Sequence, residues 1–231
     1  MLQNERHDAI MQILKKNKTA NVKALAKSLF VSQATIRRDL NEMKKLGLIE
    51  RSHGGAILPE NADEISIFVR MQENAKDKER TATNALSRLP EFRSVFIDSS
   101  STVLALAERM DLSFKTVVTN NLQTAIVLSK KTDINLIVLG GNVHYNTISC
   151  TGSFTTRQLE EFSFDLVILS CASVDGEEVF ERSLDQKEIK LTALKRGKNK
   201  MILIDHNKFS ASATYRLASL SDFDIVVTDL D

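Results

Sequence analysis

The sequence predicts an α/β protein in two unequal parts: a small N-terminal unit of three helices and a short hairpin, then a larger domain on a mostly parallel sheet. Three observations predict it. Apolar residues recur at helical spacing in three short segments before residue 47. Two short strand-like runs separated by Gly54-Gly55 follow them. From residue 94 on, β-rich apolar runs alternate with amphipathic helical segments, the pattern of a parallel sheet covered on both faces.

The first helix is expected over residues 4–16, where Ile10, Ile13 and Leu14 share one side. Residues 17–21 break it. Asn21 can cap a second helix over residues 22–30, with Val22, Leu25, Ala26 and Leu29 as its apolar stripe. Ser32 can cap a third over residues 33–46, in which Ile36, Leu40 and Met43 face inward. Gly47 suits the position just past a helix end. A strand at 48–51, a turn at His53-Gly54-Gly55 and a return strand at 56–58 then complete a winged helix-turn-helix, closed by Pro59. The expected boundaries are 1–59 for this unit, 60–80 for a charged helical linker and 81–231 for the α/β domain. In that domain strands are expected at 94–97, 116–118, 134–139, 166–170, 201–204 and 225–228, with helices at 102–110, 122–129, 155–162 and 184–195.

The outward face of the third helix carries Ala34, Arg38, Asn41 and Lys45, flanked by Thr35 and Arg37. Such a face fits the DNA major groove. The N-terminal residues from Gln33 on then lie nearest base edges, and Arg37 or Arg38 reaches guanine O6/N7 or phosphate. Ser32 and the first amides of the helix can hold a phosphate. Arg51 and His53 sit where a wing meets the minor groove or the backbone. Charge agrees: residues 1–60 hold 11 Lys/Arg against 6 Asp/Glu, while residues 61–231 hold 20 against 24. A basic first quarter on an acidic body suits a phosphate-binding module joined to something that does not bind DNA. The alternative is an ordinary trihelical domain with a solvated Arg-Arg face. A lone winged unit makes few base contacts, so a homodimer or homotetramer on double-stranded operator DNA is expected.

Composition excludes other classes. No apolar run approaches the roughly 20 residues of a membrane helix, and the N-terminal stretch has acids where a secretory signal has an apolar core. Cys150 and Cys171 lack CxxC spacing, so reduced thiols in a cytoplasmic protein are expected. His144 and His206 lie at no metal-ligand spacing, so no metal is assigned. Nor is a cofactor, since neither a Walker loop nor GxGxxG is present. Asp98, Asp165, Asp205 and Glu188 could each act as a general base, but none has an identifiable partner, and no catalytic residue is assigned.

In the second part, polar residues gather where strands end. Asp98-Ser99-Ser100-Ser101-Thr102 follows the first strand, Thr119-Asn120 the second, Gly140-Gly141-Asn142 the third, and Asp205-His206-Asn207-Lys208-Phe209 a later one. Ligands of open parallel sheets sit outside the carboxyl ends of strands. A small anionic, polyhydroxylated ligand suits this set: hydroxyls and amides take phosphate, Lys190 or Lys208 supplies a point charge, and Asp98 or Asp205 accepts sugar hydroxyls. Helix caps and plain turns are the bland reading of each piece taken alone.

Residues 5–57 resemble the DNA-binding domain of the DeoR family of bacterial transcription regulators. The resemblance lies in Val31-Ser32-x-x-Thr35-Ile36-Arg37-Arg38-Asp39-Leu40, Gly47-x-Ile49 and Arg51-x-His53-Gly54-Gly55-Ala56, and continues through Arg70-x-x-x-Asn74-x-x-x-Lys78. It implies a second half resembling ribose-5-phosphate isomerase and CoA-transferase folds that senses phosphorylated sugars. It adds Gly152 to the ligand-site residues Asp98, Ser100, Ser101, Thr102, Thr119, Asn120, Gly140, Gly141, Lys190, Asp205 and Lys208. Three departures stand out. Ser100 replaces a family glycine, Ser170-Cys171-Ala172-Ser173 stands where the family has a Gly-rich strand end, and Gln186 replaces the glutamate of a Glu-Ala-x-x-Lys motif whose lysine matches Lys190. Family chains run on beyond the final strand, so a terminal element is expected to be missing here. The reading is a regulator, a repressor of carbohydrate-metabolism genes, controlled by a phosphorylated sugar or related metabolite. The alternatives are a sugar-phosphate isomerase or deaminase with an accessory DNA-binding domain, and a constitutive DNA-binding protein with a degenerate pocket.

Overall fold

The computed structural model describes residues 2–45, 48–52, 54–57 and 66–230. The chain divides into two compact units, Met1–Val69 and Arg70–Asp231. In the first, helices α1 (Gln3–Asn17), α2 (Val22–Ser28) and α3 (Gln33–Lys45) pack with strands β1 (Thr19–Asn21), β2 (Glu50–Ser52) and β3 (Gly55–Ile57). Ile10, Leu14, Leu25, Ile36, Leu40, Met43 and Ala56 fill the core. Asn21 caps α2, its side chain accepting from the Ala24 amide at 2.7 Å.

Residues 19–21, expected as a break, form β1 because they find backbone partners in β3, with Thr19 opposite Ile57 and Asn21 opposite Gly55. The sheet order is therefore β1-β3-β2, with β3 at its centre. That pairing corrects the reading of Gly55. A Cβ there would lie 2.3 Å from the Ala20 carbonyl oxygen, so Gly55 is a strand residue kept small by close approach. The turn falls to Gly54, at φ +86°. Gly47, His53 and Pro59 lie outside the described residues.

The linker expected at 60–80 is placed differently over its described part. Helix α4 (Ile67–Gln72) crosses the division of the chain, and α5 (Ala75–Leu86) belongs to the second unit, where Ala82 and Ala85 pack under the sheet.

The second unit continues with β4 (Ser94–Ile97), α6 (Ser101–Ala107), β5 (Thr116–Thr119), α7 (Leu122–Leu128), β6 (Asn135–Val138), β7 (Asn142–His144), β8 (Ser149–Thr151) and α8 (Ser153–Glu160). Then come β9 (Phe164–Ser170), β10 (Ser173–Asp175), β11 (Glu178–Glu181), α9 (Leu184–Arg196), β12 (Gly197–Ile204), β13 (Tyr215–Ser219) and β14 (Ile225–Thr228). Six strands form one sheet in the order β14-β12-β9-β4-β5-β6, all paired in parallel. Alternate residues feed two cores, as a doubly covered sheet requires. Val95, Ile97 and Leu166 pack with Val103 and Leu106 of α6. Phe96, Val167 and Leu169 pack with Leu159 of α8 and Ile189 of α9.

Two small antiparallel pieces were not expected: the β7–β8 hairpin and a sheet in the order β10-β11-β13. Their strands are of three to five residues, and the second piece leans on the main domain through Val174, Val179 and Leu217. The strand order puts the functional end in view. From β4 the chain steps outward through β5 and β6, then returns to β9 on the other flank of β4. The loops after β4 and β9 thus lie side by side where the order reverses, the point at which such sheets bind ligands.

Candidate functional site

The first unit presents α3 as a two-sided helix. Ile36, Asp39, Leu40 and Met43 are buried, while Gln33, Ala34, Arg37, Arg38, Asn41 and Lys45 are exposed and Thr35 is half-buried. The Ser32 hydroxyl accepts from the Thr35 amide at 3.1 Å and lies 2.9 Å from its hydroxyl, so Ser32 is an N-cap. Arg37 reaches back to Gln33 Oε1 at 3.3 Å. Arg51 lies half-buried on β2, with one guanidinium nitrogen buried and without a partner among the described residues.

One functional-looking residue of this stretch turns out to be structural. Asp39 is wholly buried and takes Arg6 of α1 in a fork, Nε to Oδ2 at 2.8 Å and Nη2 to Oδ1 at 3.0 Å. His7 Nε2 lies 3.7 Å from the same carboxylate. Asp39 therefore fixes α1 to the inner side of α3 and aims the outer side. Residues 6 and 39 belong to different helices, so no local spacing announces the pair.

In the second unit, the switch point is built around Asp98 and Lys190. Asp98 accepts from the Ser100 amide at 2.9 Å through Oδ1 and from the Ser170 amide at 3.0 Å through Oδ2, tying the loops after β4 and β9 together. Lys190, buried on α9, donates to the Ser170 carbonyl at 2.7 Å, lies 3.2 Å from Asp98 Oδ2 and forms a close ion pair with Glu181. Burial alone would lower the pKa of this amine; Glu181 and Asp98 outweigh it and raise the pKa above the usual lysine value. Beside them, burial and then Glu181 push the Cys171 thiol up to about 12, so it stays protonated. Glu181, on the unforeseen strand β11, was missed by sequence reasoning.

Gln186 explains the departure from the acidic residue expected at its position. It is buried, accepts from the Ser99 hydroxyl at 2.9 Å and donates to Ser149 at 2.8 Å and Thr147 at 3.3 Å. An amide can do both; a carboxylate could only accept. Gln186 thus joins the loop after β4 to the β7–β8 hairpin. Ser100 caps α6 through its hydroxyl at 3.1 Å from the Val103 amide, a different service from the close backbone approach a glycine would allow. Ser101 and Thr102 are buried in the first turn of α6.

The other expected residues divide into two groups. Thr119 accepts from the Asn121 amide at 3.1 Å, and Asn121 is the cap of α7. Asn120 donates to the Cys150 carbonyl at 2.9 Å. Gly140 and Gly141 are held against α8. The Gly140 carbonyl accepts from Thr155 at 2.8 Å and Gln158 at 2.9 Å, and a Cβ on Gly141 would lie 2.0 Å from Thr155 Oγ1. Gly152 starts α8 at φ +90°. This pair of loops and the hairpin form one edge of the site. At the other, Asp205 is buried with neither oxygen bonded among the described residues, and Lys208 is half-buried in the 3-10 turn that follows it.

Lys78 of α5 was also missed as a site residue. It is buried, donates to the Glu73 carbonyl at 2.6 Å and to that of Arg70, and shares a cavity of about 100 Å³ with Ser101. Burial, and then the charge of Lys208, lower its pKa to about 8. Nearby, Asp77, His206 and Asp229 bring possible ligand atoms within 4.8 Å of one another, although His206 Nδ1 is already hydrogen-bonded to Asp229 at 2.6 Å. Both cysteines are free and buried, and no helix among the described residues is long and apolar enough to cross a membrane.

A winged helix-turn-helix with a polar outer face, in one chain with a parallel α/β unit whose buried polar groups meet at its switch point, is the architecture of a DNA-binding transcription regulator with a sensor domain. Residues 6–62 match the DeoR-like helix-turn-helix domain and residues 73–230 the DeoR C terminal sensor domain; the chain belongs to the DeoR family. It is 31% identical over 231 residues to the glycerol-3-phosphate regulon repressor of Escherichia coli (strain K12), covering 99% of this chain and 92% of that one. It is 30% identical over 228 residues to the L-fucose operon activator of Haemophilus influenzae, covering 98% and 92%. Among solved structures it is similar to ribose 5-phosphate isomerase A from Methanocaldococcus jannaschii, at 12% identity and a TM-score of 0.42 over 59% of this chain and 55% of that one.

Proposed function

We propose that this protein is a cytoplasmic repressor of carbohydrate-metabolism genes, binding operator DNA as a homodimer or homotetramer and controlled by a phosphorylated sugar or related metabolite. The observation that carries the sensor half is a set of buried polar atoms left unbonded among the described residues at the strand ends: Asn120 Oδ1, Ser170 Oγ and both oxygens of Asp205. Buried polar atoms are costly unless bonded, and a polyhydroxylated ligand would satisfy these. Lys78 and Lys208 supply the positive charge for a phosphate, with Ser101 beside Lys78. Lys190 has a different role: Asp98, Glu181 and the Ser170 carbonyl occupy it, so it holds the site together. The repressor named among the relatives carries glycerol 3-phosphate in its name, a compound of this chemical class.

A thermal-shift screen of glycerol 3-phosphate and a panel of sugar phosphates tests the sensor reading. A ligand of the native state raises the melting temperature, by about 2.7 kcal/mol of stabilisation at a hundredfold excess over Kd. No shift with any of them would leave the degenerate pocket as the account. Disruption of the gene should raise expression from a promoter the protein binds; a fall would make it an activator.

On the DNA side, Arg38 has no hydrogen bond or ion pair among the described residues and is exposed on the outer face of α3. Arg38→Ala is expected to weaken operator binding by about 1–3 kcal/mol, roughly fivefold to over a hundredfold, while leaving ligand-induced melting shifts intact. An unchanged affinity in a gel-shift titration would remove Arg38 from the interface.

Lys78 gives a pH signature. Its ammonium loses its proton as pH rises through about 8, while a phosphomonoester gains its second charge near pH 6. Affinity for a phosphorylated ligand should therefore be highest between about pH 6 and 8 and fall above that range. Calorimetric titrations across pH should show the alkaline fall in the wild type and not in Lys78→Met, whose affinity is low throughout. A flat wild-type profile would place the phosphate elsewhere.

A further inference from the structure

Phe30 is 94% exposed and holds a left-handed backbone at φ +55°. Both features are unusual for phenylalanine, which asparagine or glycine would replace at lower conformational cost. The turn around it is well tied. The Leu29 amide donates to Leu25 at 2.9 Å and the Val31 amide to Ala26 at 3.1 Å. Leu29 and Val31 pack on the core of the unit, so Phe30 alone of the three is turned out to solvent. It stands two residues before Ser32, the cap of α3, beside the exposed Gln33 and Ala34.

Phe114 in the second unit has a similar exposure and φ, so neither feature by itself identifies a contact. The place of Phe30 does. Leu2 is the other large hydrophobe exposed in the described part of this unit. A lone exposed ring is too small a patch for a protein partner. It fits a surface that offers anionic groups and small apolar edges together, and DNA does so with its phosphates, deoxyriboses and thymine methyls.

We propose that Phe30 is a DNA contact, its ring lying against deoxyribose edges or a thymine methyl next to the bases read by the start of α3. This rests on the reading of α3 as the recognition helix. The test uses the full chain and a duplex selected by the wild type from a randomised pool, with Phe30→Asn, Phe30→Leu and Arg38→Ala compared in binding and melting. The expected result is that Phe30→Asn melts no lower than the wild type yet binds roughly tenfold more weakly. Phe30→Leu, which keeps an apolar side chain, should lose less. Neither should change the dependence of affinity on salt, whereas Arg38→Ala should flatten it, because only the arginine releases counterions. If Arg38→Ala loses affinity while Phe30→Asn keeps it, the Phe30 contact is wrong and the recognition helix stands. If both keep it, the recognition helix fails and the Phe30 contact with it. An affinity loss in Phe30→Asn matched by a fall in melting temperature would make Phe30 structural and overturn the proposal.

Discussion

Replacing Asp39 by alanine is expected to destabilise the DNA-binding unit by about 3–5 kcal/mol, the range for breaking a buried ion pair. The carboxylate is inaccessible to solvent and takes Arg6 through two bonds of 2.8 and 3.0 Å. Its loss removes both of these bonds from Arg6, a residue only 7% exposed. A small domain has only about 5–15 kcal/mol to lose, so operator binding should vanish near physiological temperature. The second unit is compact in its own right, and its own transition and ligand response should persist. Substituting both partners by apolar residues, Arg6→Met with Asp39→Leu, should recover much of the loss, because packed apolar residues often replace a buried ion pair at little or no cost. Calorimetry on the three variants decides this. Wild-type melting of Asp39→Ala would mean that the pair contributes nothing and that α3 is positioned by its apolar residues alone.

Lys190→Met should have a comparable effect on the second unit, again about 3–5 kcal/mol. Here one ammonium serves two buried carboxylates, so removing it leaves Asp98 and Glu181 facing each other without a counter-charge. The lost counter-charge bears directly on the loops after β4 and β9, because Asp98 accepts from the Ser100 and Ser170 amides that join them. Urea denaturation should show a lower midpoint with an unchanged slope. A loss below about 1 kcal/mol would match an exposed ion pair and contradict the assignment of Lys190 as the core of the site.

The outer face of α3 was legible because helical periodicity alone separates Arg38 and Asn41 from Ile36 and Leu40. The sheet was legible because its strands are buried on both faces and read as apolar runs, as at β9 and β12. What escaped depended on pairing at a distance. β1 is three residues that are strand only because β3 lies beside them. Asp39, Glu181 and Lys78 are polar residues whose roles are set by partners from other elements, and their local spacing is that of any solvated helix face or short strand. Gly55 shows the same limit: its neighbour suggests a turn, and only the Ala20 carbonyl at its Cβ position reveals a strand. The structure places the strand-end residues after β4, β5, β6 and β12, but Ser100, Gly140 and Gly141 spend their groups on caps and packing. Among the described residues, the buried side-chain oxygens without a partner there belong to Asn120, Ser170 and Asp205.

The central claim is that occupation of the strand-end site alters DNA binding by the winged unit. Coupling requires a ligand to bind the DNA-competent and incompetent states unequally. The direct measurement is the affinity of the full chain for its selected duplex, by fluorescence anisotropy, with and without the sugar phosphate or glycerol 3-phosphate that most raises its melting temperature. The account predicts a change of at least about fivefold, corresponding to a coupling of about 1 kcal/mol or more. A ligand that saturates and stabilises the protein while leaving DNA affinity unchanged would contradict it.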